Sequence, residues 1–412
     1  MKKARKDNRG RALHKGEYQK PDHSYSYSYT DPFKKRRFIY ADTLQELREK
    51  EADLVKKQLD GLKEYSNGEA SVNFLFDRYI AMKKNLKPST MMNYKYYYNR
   101  FVRDGFGKNR FADVKYSDVL YFYNSLLKSG LKLATIDNIH STIHPAFQLA
   151  VRDDLIKRNP SDHVMAELKK GHNLPKTTRH ALTVEQQRMF MKFLSENPVF
   201  NHWHPLFTIL LGTGVRIGEL IGLRWDDVDF KKKEISINHS LEYYPQDEET
   251  CTRACKLVVS LPKTAAGVRI IPMFPQVIEA FEEIKEVQNE KGLVSEEIDG
   301  MKDFIFLSDA GTVLRPQQVN DAIKRVIKYC NMEETANAKK EKRKPVLLPD
   351  FSCHHLRHTF CTRLVENESN AKVVQSVMGH KNITTTMDVY AEVSESRKAE
   401  AMSKLAEMVD IF

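Results

Sequence analysis

A run of three histidines and one arginine lies near the C-terminal end of the chain, at Cys353-His354-His355-Leu356-Arg357-His358. It is followed by His380, directly after a glycine, and by Tyr390 on a threonine-rich segment. Guanidinium and imidazole groups can hold the oxygens of a phosphodiester, and a phenol can attack its phosphorus. No matching cluster of carboxylates for a metal ion accompanies these residues. The pattern therefore predicts phosphodiester cleavage by a tyrosine, without a metal or another cofactor.

A second arginine is predicted at the start of a helix earlier in the chain. The apolar segment Leu206–Leu211 stops at Gly212-Thr213-Gly214, and Arg216 opens the helical pattern that follows. A guanidinium at a glycine-flanked helix start is exposed, and its planar fork matches two phosphate oxygens. Glu219, one helical turn later, can orient it, although an Arg-x-x-Glu pair on a helix is usually a surface ion pair.

A proton donor for the leaving oxygen is predicted on a turn between two strands. Short β-branched runs at 234–237, 257–261 and 268–272 predict a three-stranded antiparallel sheet. The turn between the last two strands carries Lys263, whose ammonium can reach a groove and donate a proton. Taken alone, Lys263 has the alternative interpretation of a solvated turn residue, and Tyr390 that of a packed core residue.

The composition describes a chain with several domains and one strongly basic end. At 412 residues the chain is long enough for two or three hydrophobic cores. Its net charge is +11, and the first 40 residues, with 12 basic and 4 acidic side chains, supply +8 of it. This excess suits nucleic acid or an anionic membrane surface. No apolar run approaches the roughly 20 residues that span a bilayer, and no signal peptide is recognisable, so we expect a cytoplasmic protein without a membrane partner.

The basic N-terminal segment is predicted to be a small antiparallel sheet that binds DNA. Serine and tyrosine alternate at 24–29, a second run covers 36–40, and the first of three strands is expected near Arg11-Ala12-Leu13. Strands fit a major groove, and basic side chains mixed with tyrosine suit contacts with phosphates and base edges. The expected DNA contacts here are Arg9, Arg11, Lys34, Lys35, Arg36 and Arg37. A disordered solubilising tail is the alternative.

A helical domain is predicted after this segment. Its four expected helices lie at 73–84, 89–103, 117–128 and 134–156. Ser89 and Ser117 are the expected N-caps of the second and third helices. Lys95 and Arg100 on the second helix are candidates for DNA contact, with an ordinary solvated face as the alternative.

The catalytic domain is expected to begin with the capping-box pattern Thr183-x-x-Gln186. The C-terminal segment is amphipathic, with apolar residues from Met402 to Phe412 at near-helical spacing. The predicted boundaries are 1–65 for the basic sheet with a connector helix, 71–168 for the helical domain, 180–393 for the catalytic domain and 394–412 for a C-terminal helix.

Four motifs resemble the tyrosine recombinase (phage integrase) family. They are Thr213-Gly214-x-Arg216-x-x-Glu219, Pro262-Lys263-Thr264 with Arg269 and Pro272 after it, His354-x-x-Arg357-His358-Thr359, and Gly379-His380-x-x-Ile383-x-Thr385-Thr386-x-x-x-Tyr390, in the family's order and spacing. The segments Lys6–Arg11 and Tyr27–Asp31 further resemble the arm-binding domain of integrases from conjugative transposons. One departure is His355, where many relatives carry aspartate, and we expect it to change local packing rather than chemistry.

The resemblance implies a multidomain α+β fold. A small N-terminal three-stranded β-sheet arm-binding domain would precede a helical, SAM-like core-binding domain and a mainly α-helical catalytic domain with a small antiparallel β-sheet. The implied activity is integration and excision of a mobile element through a 3′-phosphotyrosyl intermediate and a Holliday junction. The implied partners are double-stranded DNA with core and arm sites, further copies of the chain in a homotetramer, and an excisionase or other directionality factor.

The resemblance also implies a role for each site residue. Tyr390 would attack the phosphorus with His354 as its base, since a free phenol has a pKa of about 10. Arg216, Arg357 and His380 would stabilise the pentacoordinate phosphorus, Lys263 would protonate the 5′ oxygen, and Glu219 would support the arginines. The C-terminal helix would dock on a neighbouring subunit, with its own domain as the alternative. Two other functions remain open, a type IB topoisomerase-like enzyme and a non-catalytic DNA-binding regulator.

Overall fold

The computed structural model describes residues 5–30, 36–52, 54, 70–83, 86–171, 181–246, 255–262 and 267–391. The chain divides near Pro175 into two compact units. The first contains an N-terminal sheet and a helical bundle, and the second contains the predicted catalytic domain. Lys34, Lys35, Lys263 and the segment 394–412 lie outside the described residues.

Three antiparallel strands form the N-terminal sheet, as the serine and tyrosine alternation predicts. They are β1 (Glu17–Gln19), β2 (Tyr25–Thr30) and β3 (Arg36–Ala41), in the order β1-β2-β3. Tyr25 and Ala41 pair across β2 and β3 and pack on Leu44 and Leu47 of helix α1, residues 44–52. The alternation supplies this buried face because successive side chains of a strand point to opposite sides.

The expectation of a first strand near Arg11-Ala12-Leu13 is wrong. Asp7 Oδ1 accepts the backbone N–H groups of Arg9 and Arg11, at 3.0 and 2.8 Å, and closes a turn. The segment makes an isolated β-bridge with residue 6 instead of a strand. An aspartate turn competes with a strand because its carboxylate takes the N–H groups that a ladder would use.

The helical bundle contains five helices within the described residues, and four of them are those that the sequence predicts. They are α2 (Val72–Met82), α3 (Pro88–Phe101), α4 (Tyr116–Lys128), α5 (Leu133–Arg152) and α6 (Val164–Gly171). Ile136, Ile139 and Ile143 of α5 are fully buried at helical spacing. The sequence did not predict α6. The basic residues at the end of this helix are typical of a linker, but its Val164 and Leu168 are buried.

The N-caps predicted at Ser89 and Ser117 are wrong. Both serines lie in the first turn of their helices, after the caps Lys87 and Lys115. Helix α3 begins with a proline at its first position, where the fixed φ of proline suits a helix start. In α4 the carboxylate of Asp118 accepts the backbone N–H of Lys115 at 2.8 Å. The proline of α3 and the Asp118 cap of α4 therefore make each helix begin before its serine.

The second unit is mainly helical. Its described helices are α7 (Val184–Glu196), α8 (His204–Thr213), α9 (Ile217–Gly222), α10 (Pro275–Lys291), α11 (Pro316–Lys340), α12 (Cys353–Asn367), α13 (Ala371–Met378) and α14 (residues 383–391). The predicted capping box of α7 is confirmed, because Gln186 N donates to Thr183 Oγ1 at 3.1 Å and Thr183 N to Gln186 Oε1 at 3.0 Å. Across the described parts of the chain, every helix is too short or too polar to cross a membrane.

Two small sheets replace the predicted single sheet. Strands β4 (Val228–Asp229), β5 (Glu234–Ile237) and β8 (Arg269–Pro272) form one sheet in the order β4-β5-β8, and β6 (Ser240–Pro245) pairs with β7 (Cys255–Ser260). The prediction that 257–261 and 268–272 pair with each other is therefore wrong. The partner β6 was missed because Leu241 is its one buried residue, which gives it a weak apolar pattern.

Among its described residues, the second unit has two hydrophobic clusters. In the larger one, the fully buried Phe190 packs edge to face on Phe207 and on Phe351. In the smaller one, Phe360 of α12 clusters with Val389 of α14 and with residues of α13. The predicted site residues of helices α12 to α14 border this smaller cluster.

Candidate active site

Three arginines from distant parts of the chain meet at the C-terminal end of helix α13. Arg216 is the N-cap of α9, Arg269 begins β8, and Arg357 lies on α12. Their guanidiniums donate to three consecutive carbonyls, Arg269 Nε to Val377 O at 2.8 Å, Arg357 Nη2 to Met378 O at 2.6 Å and Arg216 Nη2 to Gly379 O at 3.2 Å. The end of a helix can gather donors in this way because its last carbonyls have no partner within the helix.

Glu219 links two of these arginines. Its Oε1 accepts Arg216 Nη1 at 2.7 Å, and its Oε2 accepts both Arg269 Nη2 and the backbone N–H of Arg216 at 2.8 Å. Burial alone raises the pKa of Glu219, but the hydrogen bond and charge of Arg269, followed by those of Arg216, lower it to about 2. The carboxylate is therefore ionised at neutral pH and fixes both guanidiniums.

Arg357 is buried and donates to two backbone carbonyls. Besides its bond to Met378, its Nη1 donates to Gly214 O at 2.7 Å. Gly214 has a φ of +61°, and a Cβ at this position would clash with the ring of Phe360, so the turn requires glycine. Burial, followed by the positive charge of Arg216, lowers the pKa of Arg357, although a guanidinium remains cationic at neutral pH.

His380 follows Gly379, the left-handed C-cap of α13. Gln375 contacts its backbone at both ends, because His380 N donates to Gln375 O at 3.2 Å and Gln375 Nε2 donates to His380 O at 3.0 Å. Its Nδ1 lies 2.9 Å from Thr386 Oγ1. Burial, followed by the charges of Arg357, Arg216 and Arg269, lowers the pKa of His380 to about 4, so the imidazole is neutral at pH 7.

The cluster as a whole carries an excess of positive charge. It contains three guanidiniums, two of them hydrogen-bonded to the carboxylate of Glu219, and the neutral His380. The side chain of Arg216 is 39% exposed, whereas that of Arg269 is 4% exposed. Arg216 is thus the arginine that can meet an anion from solvent, while Arg269 supports it from within. Fixed donors of this kind stabilise charge that develops on a phosphorus in the transition state.

Tyr390 has different surroundings. It lies near the end of α14, and its hydroxyl donates to the backbone carbonyl of Glu368, the C-cap of α12, at 2.6 Å. Burial, followed by the negative charge of Glu368, raises the pKa of Tyr390. The phenol is therefore protonated and bound to a carbonyl, while the guanidiniums donate to other carbonyls.

The structure brings together three of the six predicted catalytic residues, Arg216, Arg357 and His380. Tyr390 lies on the same unit with a separate hydrogen-bond partner. His354 is exposed in the first turn of α12. The predicted proton donor Lys263 lies outside the described residues.

Arg269 is the residue of the cluster to which the sequence assigned no role. Exposed and buried residues alternate in β8, and Arg269 occupies a buried position of this strand. A charged side chain on the buried face of a strand needs a partner of opposite charge. The signal in the sequence was the alternation of inward and outward positions in the strand, which places Arg269 on the same side as Ile271. The sequence did not show that the partner of Arg269 is Glu219.

The departure at His355 has a structural role at the start of α12. Its Nδ1 lies 3.2 Å from the backbone nitrogen of Ser352 and 3.1 Å from Ser352 Oγ. His355 thus occupies the N3 position of a capping box, where an acidic or amide side chain usually accepts the N-cap N–H. The imidazole nitrogen replaces a carboxylate oxygen at this acceptor position.

The outer face of the N-terminal sheet combines cations with aromatic rings. Phe38 is 51% exposed and Tyr40 is 54% exposed. Lys20 Nζ lies 4.1 Å from the centre of the Tyr40 ring, and the Arg36 guanidinium lies 5.5 Å from that of Phe38. Each of these contacts is a cation–π arrangement that holds a positive charge over an exposed ring.

The other predicted DNA contacts have diverse environments. Arg11 donates to Asp7 Oδ2 at 2.7 Å and to the hydroxyl of Tyr25 at 2.9 Å, so it stabilises the Asp7 turn. Arg9 and Arg100 are exposed, and Lys95 is half-buried. The side chains of Lys34, Lys35 and Arg37 lie outside the described part of the chain.

The guanidiniums around Glu219 can stabilise the transition state of a phosphoryl transfer, and the unit that holds them also carries Tyr390. Residues 180–397 match the phage integrase family, and residues 1–58 match the DNA binding domain of Tn916 integrase. The chain belongs to the phage integrase family, whose members are tyrosine recombinases. The family resemblance of the four motifs is thereby confirmed.

Relatives and solved structures agree with this membership. The chain is 29% identical to the transposase from transposon Tn916 of Enterococcus faecalis, over 98% of this chain and 97% of that protein. It is 26% identical to the ICEBs1 integrase of Bacillus subtilis (strain 168), over 96% and 99% of the two chains. The Tn1549 transposon integrase, solved in complex with a circular intermediate DNA, is 30% identical over 82% of this chain and 99% of that chain, with a TM-score of 0.68.

Proposed function

We propose that this chain integrates and excises a mobile element by site-specific recombination of DNA. The observation that carries the proposal is the guanidinium cluster around Glu219, which presents Arg216 to an anion in the same unit as Tyr390. The similarity to the Tn916 transposase and to the Tn1549 integrase supports double-stranded DNA as the substrate and a conjugative transposon as its source.

The proposed reaction transfers a phosphoryl group from a deoxyribose to a phenol. The oxygen of Tyr390 forms a bond to the phosphorus, the bond to the 5′ oxygen breaks, and a 3′-phosphotyrosyl link remains. His354 takes the phenolic proton, and Lys263 gives a proton to the departing 5′ oxygen. Arg216, Arg357 and His380 stabilise the charge on the pentacoordinate phosphorus, with Glu219 holding Arg216 in place. The free 5′-hydroxyl of a second duplex reverses the same steps, so no cofactor or metal is needed.

Before it attacks, Tyr390 has to leave the carbonyl of Glu368. A single hydrogen bond contributes about 1 kcal/mol to stability, which is small beside the binding energy of a DNA site. We therefore propose that the described position of Tyr390 is a resting state and that DNA binding brings the phenol to the phosphate.

We propose that the remaining domains grip the DNA. The outer face of the sheet in residues 1–65, with Lys20 and Arg36 over aromatic rings, would bind arm sites. The helical domain at 71–168 would bind core sites, with Arg100 as an exposed cation, and residues 180–393 would carry out the chemistry. Because Arg11 is engaged by Asp7, its contribution to DNA contact is expected to be smaller than that of Arg36.

For the assembly we propose a homotetramer on two duplexes, with segment 394–412 docked on a neighbouring subunit. Lambda integrase, 19% identical with a TM-score of 0.50, has been solved as a tetramer bound to a Holliday junction. An excisionase or another directionality factor would select between integration and excision, and the reaction would take place in the cytoplasm. Deleting residues from Ser394 onward should loosen synapsis and unbalance cleavage, and normal regulated recombination by the truncated chain would contradict the docking proposal.

A DNA duplex with a nick beside the cleavage point tests the chemistry, because the released fragment diffuses away and traps the covalent intermediate. The native chain should form an adduct, and Tyr390→Phe should form none while binding the same DNA. Tyr329→Phe, which alters an exposed tyrosine of the same unit, is the matched control. An adduct with Tyr390→Phe would exclude this nucleophile. If the native chain forms no adduct and Tyr390→Phe leaves its cellular function intact, the DNA-binding regulator is favoured.

A strand-transfer assay with two duplexes separates recombination from topoisomerase-like activity. Both enzymes form the same adduct, but only a recombinase joins strands of different duplexes. Relaxation of supercoiled DNA without any joined product would favour the type IB topoisomerase alternative.

A further inference from the structure

Three consecutive threonines precede Tyr390, and their environments differ. Thr384 and Thr385 are exposed, whereas Thr386 is fully buried. Thr386 Oγ1 lies 2.9 Å from His380 Nδ1. Thr386 is also four residues before Tyr390 on α14, so the two side chains lie on the same face of that helix. One hydroxyl thereby connects the histidine of the arginine cluster to the helix that carries the nucleophile.

The backbone of His380 is already fixed by other contacts. Its N–H and C=O are both bonded to Gln375, and the preceding Gly379 is in the left-handed conformation with a φ of +63°. What these contacts leave free is the rotation of the imidazole about its side-chain bonds. The Thr386 hydroxyl contacts Nδ1 and therefore restrains this rotation.

The same hydroxyl can also decide which ring nitrogen carries the proton. His380 is neutral, because burial and the charges of Arg357, Arg216 and Arg269 lower its pKa to about 4, so the ring has one N–H. A phosphate oxygen accepts hydrogen bonds, and that N–H must be on Nε2 to serve it. Nδ1 is then an acceptor and requires a donor. The guanidiniums of the cluster donate to carbonyls and to Glu219, whereas the rotatable hydroxyl of Thr386 can donate to Nδ1.

We propose that Thr386 is a positioning residue that donates to His380 Nδ1, keeps the proton on Nε2 facing the bound phosphate, and ties His380 to the helix of Tyr390. The inference rests on the proposed function, since it assigns a partner to a residue of that reaction. Thr386 itself touches no reacting atom, so its effect on the rate is transmitted through His380.

Three variants test this role with the full-length chain and the nicked DNA duplex. Thr386→Val keeps the shape of the side chain but removes the hydroxyl. It should slow single-turnover cleavage by about 10- to 100-fold, the loss found when the hydrogen-bond partner of a metal-binding histidine is removed. Thr386→Ser retains the hydroxyl and should cleave within about 3-fold of the native rate. Thr385→Val removes the neighbouring exposed hydroxyl and should leave the rate unchanged. The affinity for DNA should be equal for all three.

The tautomer of His380 gives a second measurement that a packing defect would not reproduce. Imidazole ¹⁵N shifts of His380, assigned by comparison with His380→Gln, should report Nε2–H in the native chain and in Thr386→Ser, and a mixture in Thr386→Val. Native cleavage by Thr386→Val would overturn the proposal. Slow cleavage with an unchanged tautomer would also overturn it, because the hydroxyl would then act through packing alone.

Failure of this inference is distinguishable from failure of the proposed function. If Tyr390→Phe still forms an adduct, the nucleophile is wrong, whatever Thr386→Val does. If Tyr390→Phe abolishes the adduct while Thr386→Val behaves like Thr385→Val, the recombinase reaction stands and the positioning role of Thr386 is excluded.

Discussion

The two parts of the candidate active site are held in different ways. In the charge-stabilising part, Arg269 and Arg357 are buried. Arg269 is hydrogen-bonded to Glu219 and Val377 O, and Arg357 to Gly214 O and Met378 O. The nucleophilic part consists of Tyr390, whose hydroxyl has one hydrogen bond, to the carbonyl of Glu368. One chain therefore preassembles the electrostatic part of the site, whereas the position of its nucleophile depends on a contact that is easily exchanged.

The difference follows from the free energies involved. Removing a charged partner from a buried ion pair costs about 3 to 5 kcal/mol, so separating Arg269 from Glu219 is strongly unfavourable in the folded chain. Exchanging one neutral hydrogen bond costs about 1 kcal/mol. Cleavage can therefore be controlled by moving one phenol without rebuilding the charged cluster.

The largest expected effect comes from Arg357, because it belongs to the fixed part of the site. The two terminal guanidinium nitrogens of Arg357 contact Gly214 O and Met378 O. In Arg357→Lys a single ammonium takes their place, and it cannot contact both carbonyls with the same planar geometry. Cleavage of the nicked duplex should fall by about 100- to 1,000-fold, the usual effect of removing one preorganised donor. The matched control is Arg363→Lys on the same helix, where Arg363 contacts Leu182 O and Glu366. Equal rates for the two variants would contradict a special role for Arg357.

Stability should reveal the same contrast. Glu219→Gln leaves the buried Arg269 without its carboxylate and should lower the free energy of unfolding by about 3 kcal/mol. Glu297→Gln, which removes the exposed partner of Lys302, should lower it by less than about 1 kcal/mol. Denaturant unfolding of the isolated chain measures both changes. A loss below 1 kcal/mol for Glu219→Gln would show that the cluster is not held by this carboxylate.

The pH dependence of unfolding sharpens the assignment to Glu219. Its folded-state pKa of about 2 lies below the ordinary value of 4.5, so its contribution is present above 4.5 and is lost as the pH falls toward 2. Between pH 7 and pH 3.5 the native chain should lose about 1 kcal/mol more stability than Glu219→Gln does. The two chains should converge near pH 2. Parallel curves over this range would mean that Glu219 titrates in the folded chain as it does in the unfolded chain.

Local patterns in the sequence predicted the elements of the fold more successfully than their pairing. The alternation of Tyr25, Tyr27 and Tyr29 predicted β2, and the spacing of Ile136, Ile139 and Ile143 predicted α5, because burial on one face imposes a period on the chain. The pairing of β8 with β5 instead of β7 joins segments that are distant in the chain, and no local period encodes it.

The same distinction applies to the site. The glycine turn before Arg216 and the bend at Gly379 were visible in the sequence, and both are left-handed glycines in the structure. The contact of Tyr390 with Glu368 was not predictable, because it depends on how α14 packs against the end of α12. The role of Arg269 was hidden for a similar reason, since its partner Glu219 lies 50 residues away.

The smallest effect tests the resting position of the nucleophile. Tyr390→Phe removes the hydrogen bond to Glu368 O and leaves the ring packed, so the free energy of unfolding without DNA should fall by about 1 kcal/mol. Tyr329→Phe, at a tyrosine that is 47% exposed, should change it by less than about 0.5 kcal/mol. If Tyr390→Phe is as stable as the native chain, the contact with Glu368 contributes nothing measurable. The phenol would then move freely between the carbonyl and the phosphate, and the contrast between a fixed cluster and a restrained nucleophile would disappear.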